Sequence, residues 1–71
     1  MAKKADQREP VACVFKGRTF EATYTVSPGM VHVTAVQGRK SAQLGGPTAL
    51  SIAEQLFREI IEDADARGTL T

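Results

Sequence analysis

Hydrophobic spacing changes along this chain, and the changes divide it into elements. Val11-Ala12-Cys13-Val14-Phe15 is a short apolar run closed by Lys16-Gly17-Arg18. From Thr19 the pattern becomes strict alternation. Phe20, Ala22, Tyr24 and Val26 interleave with Glu21, Thr23 and Thr25, the period of a half-buried strand. Ser27-Pro28-Gly29 predicts a turn, because proline fixes φ and glycine accepts a positive one. Residues 30–36 alternate again, with Val31, Val33 and Ala35 on one face and Met30, His32, Thr34 and Val36 on the other. Gln37-Gly38-Arg39-Lys40 is a further turn, and residues 41–44 are a candidate fourth strand.

Beyond Gly45-Gly46-Pro47-Thr48 the period lengthens. Ala49, Ile52, Ala53, Leu56, Phe57, Ile60, Ile61 and Ala64 recur at spacings of three and four, which marks an amphipathic helix. About 18 residues at 1.5 Å each span roughly 27 Å, enough to cover one side of a small sheet. Three starts are open: Pro47 in the first turn, Thr48 as cap, or Ser51 with Glu54 as a capping box. Gly68 after Arg67 is a stop signal. The predicted fold class is α+β: a small antiparallel meander of three to four strands, with one C-terminal amphipathic helix packed on one face. The Phe20/Ala22/Tyr24/Val26 face is the expected partner of the helix. Residues 1–9 are expected to form a disordered tail, residues 10–68 a single domain, and residues 69–71 a frayed end.

Length and cysteine content sharpen this picture. Seventy-one residues make one domain of marginal stability, and a single cysteine allows no disulfide within the chain. A domain without such staples often gains stability by association, so a homodimer or another protein partner is expected. The lone thiol suits a reducing compartment and no signal peptide follows the first lysines, so a cytoplasmic setting is expected. No run approaches the roughly 18 apolar residues of a membrane span, so no membrane role is expected.

Charge is unevenly placed. Residues 1–47 hold seven basic residues against three acidic, a balance of +4, whereas residues 48–71 hold two against five, a balance of −3. In an up-and-down meander the first and third turns share an end. Lys16 and Arg18 then stand near Arg39 and Lys40, a rim of four cations suited to phosphate. If residues 41–44 pair as a strand, the helix climbs back and brings Glu62, Asp63 and Asp65 to the same end. The rim is then partly neutralised by the chain's own acids.

Other chemistry is thinly represented. His32 is the only histidine, with no HxxE, HxH or CxxC spacing to supply an activating partner or metal ligands; a half-exposed strand residue is expected. Cys13 lies in an apolar run and suits a buried structural thiol. Leu44-Gly45-Gly46-Pro47-Thr48 precedes a helix as phosphate-cradling loops do. It lacks the Gly-Lys-Ser/Thr of a P-loop, and Pro47 removes an amide, so a connector is expected. Glu59, Glu62, Asp63 and Asp65 sit on the helix without a loop to enclose an ion. Phe20 and Tyr24 have the alternation of core residues rather than of base-stacking platforms. No catalytic, metal or cofactor-binding residue is assigned, and no small-molecule substrate or enzyme activity is expected.

The stretch "GRTFEATYTVSPGMVHVTAVQGRKSAQLGG" with its following amphipathic helix resembles short bacterial strand-strand-strand-helix proteins over about residues 14–62. That resemblance implies a fold but no activity. The element order is also similar to the later part of a double-stranded-RNA-binding domain, whose closing helix opens with a lysine cluster. Here the matching positions are Gly46-Pro47-Thr48-Ala49, and that fold's first helix is absent. The functional expectation is a small non-enzymatic protein-interaction module. It would self-associate through a strand edge or through an open sheet face holding Val14, Thr23, Thr25 and Val36. The alternative is a nucleic-acid-binding module using Lys16, Arg18, Arg39 and Lys40.

Overall fold

The computed structural model describes residues 8–46 and 48–70, in which two-residue turns reverse the chain between four strands and a helix follows. The strands are β1 (Glu9–Phe15), β2 (Arg18–Ser27), β3 (Met30–Ala35) and β4 (Gly38–Gln43), and the helix is α1 (Ala49–Ala66). The sheet order is β1-β2-β3-β4, with every neighbouring pair antiparallel. Residues 41–43 therefore do pair, as the last half of β4. This is an α+β meander with one C-terminal helix packed against it.

Local chemistry sets the turns. Lys16 and Gly17 join β1 to β2 with φ of 53° and 79°, the paired positive values of a type I′ hairpin turn. Gly29, with φ of 80°, follows Pro28 between β2 and β3, the residue pairing that a type II turn favours. At the helix start Thr48 is the cap: its side-chain oxygen accepts from the Ser51 N–H at 3.2 Å. Pro47, one of the other two predicted starts, lies outside the described residues. The helix stop is a Schellman arrangement. Gly68, with φ of 76°, donates to the Asp65 carbonyl at 3.1 Å, and the Thr69 N–H donates to the Ala64 carbonyl at 2.9 Å.

The core lies between one sheet face and α1. Val11, Cys13, Phe20, Tyr24, Val31 and Val33 face Ala53, Leu56, Phe57, Ile60 and Ile61. Phe57, Ile61, Val31 and Val33 are the largest fully buried side chains. The helix lies nearest β1, β4 and β3 and least near β2. The aromatic rings of Phe20 and Tyr24 supply the bulk on that middle strand.

Three expectations need correction. Val26 is 49% exposed rather than part of the core, because it sits two residues from Pro28 on the strand that α1 approaches least. The expected tail overlaps the sheet: Glu9 pairs with Tyr24 as the first residue of β1, while residues 1–7 lie outside the described residues. The expected fraying over residues 69–71 is not seen at Thr69 and Leu70. The Thr69 hydroxyl also donates to the Ala64 carbonyl, at 3.2 Å, and Leu70 packs on the core. Thr71 lies outside the described residues.

Two substitutions test this packing. Phe57→Ala is expected to cost about 3–5 kcal/mol, a large share of the stability of so small a domain. Val26→Ala is expected to cost less than about 1 kcal/mol. Urea unfolding followed by circular dichroism checks both, and equal losses would contradict the core described above.

Candidate interaction surface

The meander does bring the Lys16-Gly17 and Val36-Gln37 turns to one end, but Gly38, Arg39 and Lys40, expected in the turn, are the first three residues of β4. α1 begins after β4 has passed the Pro28-Gly29 turn, where the Leu44 N–H donates to the Gly29 carbonyl at 2.9 Å. It therefore runs back toward the basic end, and it lies close there: a Cβ at Gly38 would stand 3.4 Å from the Ile60 side chain. The Lys16 ammonium meets Asp65 Oδ2 at 3.0 Å, and the Lys40 ammonium meets Glu59 Oε1 at 3.2 Å. Two of the four predicted cations thus belong to ion pairs that tie the sheet to the helix.

Register explains the division. Lys40 pairs with the buried Val33, so it lies on the helix side of β4. Arg39 pairs with Thr34 and lies on the opposite face. Arg18 is on the helix side of β2, with its guanidinium 5.0 Å from the centre of the Phe20 ring. The Lys16 ammonium also lies 5.5 Å from the centre of the Phe15 ring. Helical pairs complete the acidic side: Arg58 meets Glu62 at 3.2 Å and Arg67 meets Asp63 at 3.6 Å. The sequence signal for Lys40 was its alternation with Ala42, which becomes legible once β4 is accepted as a strand.

The other sheet face has no helix over it in the described structure. Rows of side chains cross it: Thr25, His32 and Ser41 in one row, and Pro10, Thr23, Thr34 and Arg39 in the next. His32 Nδ1 and Ser41 Oγ are 2.8 Å apart, so the imidazole is engaged by a neighbouring hydroxyl. Toward β1 the face turns apolar. Ala12 is exposed, and Val14 is 64% exposed opposite Thr19. Of the four predicted association residues, Val14, Thr23 and Thr25 share this face. Val36 does not sit among the paired strand residues; it is in the β3–β4 turn and 99% exposed. Its place in the alternation could not show that the strand ends at Ala35.

Along the β1 edge, between that strand and α1, runs a groove of about 500 Å³ lined by Ala12, Cys13, Val14, Ser51, Glu54, Gln55 and Arg58. Sequence reasoning did not find it, because it depends on which helical residues overhang the edge. Cys13 is a buried free thiol facing the core. Among the described residues no group of three or more His, Cys, Asp or Glu side chains is placed to hold a metal ion. No described helix is long and apolar enough to cross a membrane. Comparison with family models, curated proteins and solved structures finds no match to this chain.

Lys16, Lys40 and their acidic partners are substantially exposed, so their ion pairs are screened by water. Lys16→Ala and Lys40→Ala are each expected to lower stability by no more than about 1 kcal/mol. The loss should shrink further in about 1 M salt. Thermal melts at low and high salt measure both effects.

Proposed function

We propose that this protein is a small non-enzymatic interaction module that self-associates through the side of its sheet away from α1 or along a strand edge. The single observation that carries this reading is the one-sided cover of the sheet. Tyr24, Val31 and Val33 lie under the helix, whereas Ala12 and Val14 stand in the open on the other face. A domain of this size has little surface to spare, and burying apolar area against a second copy adds stability that the single core supplies sparingly.

The nucleic-acid alternative has weaker support. A polyanion at the basic end has to compete with Asp65 for Lys16 and with Glu59 for Lys40. Arg39 lies on the hydroxyl-rich face, away from those two ammonium groups. The four cations are thus split between faces rather than gathered into a groove that would follow a phosphate backbone.

Sedimentation equilibrium at tens to hundreds of micromolar is expected to give a mass above that of one chain. A strictly monomeric mass across that range overturns the proposal. Titration with short RNA and DNA at low salt is expected to leave the NMR signals of Lys16, Arg18, Arg39 and Lys40 in place. Saturable shifts there, abolished by salt, would favour the alternative.

A further inference from the structure

The two sheet edges are built differently, and the difference selects one of them. The closing pair of a two-residue hairpin exchanges hydrogen bonds, and such pairs alternate along the ladder. Phe15↔Arg18 closes the first hairpin, so the backbone groups of Phe15, Cys13, Val11 and Glu9 turn toward β2. Those of Val14, Ala12 and Pro10 turn outward from the sheet. Pro10 thus occupies a position where its missing N–H costs the β1–β2 ladder nothing. Ala12 and Val14 each offer a donor and an acceptor on an edge whose outward residues carry no charge.

Ala35↔Gly38 closes the third hairpin, so the backbone groups of Arg39, Ser41 and Gln43 turn outward on β4. Arginine at that position, with Lys40 beside it, is the kind of charged edge that resists pairing.

Beside the β1 edge, α1 contributes a second pattern. Ser51, Glu54, Gln55 and Arg58 line the groove together with Ala12, Cys13 and Val14. A two-fold axis perpendicular to the sheet at this edge sets β1 antiparallel to a second β1 and α1 antiparallel to a second α1. Under that operation an acid and a base one helical turn apart are self-complementary. Glu54 of each copy faces Arg58 of the other.

Resting on the self-association proposed above, we infer that two copies join along β1 about such an axis. Ala12 and Val14 extend the ladder into one eight-stranded sheet, and Glu54 and Arg58 form reciprocal ion pairs across the groove. Arg58 already meets Glu62 at 3.2 Å within its own helix, so the guanidinium bridges two carboxylates in the dimer.

Sedimentation of wild type, Glu54→Arg, Arg58→Glu and the double swap tests this, with circular dichroism confirming that each is folded. Each single change places like charges opposite one another and is expected to weaken the dimer by about tenfold or more. The double swap restores opposite charges and is expected to return affinity to within about threefold of wild type. Loss of the Arg58–Glu62 pair is common to Arg58→Glu and the double swap, so recovery reports the pair between copies. If the wild type dimerises and neither single change weakens it, or the swap fails to recover, the β1 interface is overturned while self-association stands. A wild type that stays monomeric overturns both.

Discussion

The burial of Phe57 and Ile61 in one core with Val31 and Val33 is the interaction on which the rest of the structure depends. All four are fully buried, and they join the middle of the helix to the strand that lies between β2 and β4. Burying such side chains contributes roughly 1.5–3 kcal/mol each, against a backbone entropy cost of about 1–2 kcal/mol for every residue ordered. With one layer of helix and one layer of sheet, no second core shares that burden. The direction and tilt of α1 are therefore set by this stripe, and the charged groups have to accommodate it.

Their accommodation is visible at the basic end. The last turn of α1 holds no basic residue, although exposed carbonyls there favour a positive charge. Glu59, Glu62, Asp63 and Asp65 add further negative charge over the second half of the helix. The compensating cations come partly from the sheet: Lys16 reaches Asp65 from the first hairpin, and Lys40 reaches Glu59 from β4. Because the core fixes where the helix ends, the oppositely charged halves of the chain meet in space. Each exposed pair contributes little alone. Together they set opposite charges against one another at that end of the domain.

Most of the fold was legible because its two periods differ so clearly. Phe20, Ala22 and Tyr24 alternate, Val31 and Val33 alternate, and the eight apolar positions from Ala49 to Ala64 follow the helical repeat. What the periods could not show was where an element stops. Val26 continues the alternation of β2 and Val36 that of β3. Val26 lies at the far end of its strand and Val36 has passed into the turn, beyond the reach of the helix. At the other end of the chain, polar-looking Thr69 is held because the helix cap needs its N–H, and Leu70 then folds onto the core. Of the candidate surface, the four cations and the open face were readable. The division of Arg39 and Lys40 between the two faces of β4 is readable only once β4 is accepted as a strand, because it follows from a one-residue difference in position.

The open face and the two edges are different answers to the same exposure. Across β2, β3 and β4 the face is clothed with Thr23, Thr25, Thr34 and Ser41, and His32 is engaged by the Ser41 hydroxyl. The apolar part of the open face lies toward β1, at Ala12 and Val14. The β4 edge carries arginine outward and is protected by charge. At β1 the protection stops at Pro10. Beyond it Ala12 and Val14 combine backbone groups, which no other described strand pairs, with exposed apolar side chains. A second strand supplies hydrogen bonds to the one and cover to the other, which a ligand meeting only the face or only the edge does not. The proposed interface therefore lies at the border between sheet and solvent at β1, the edge that charge protects least.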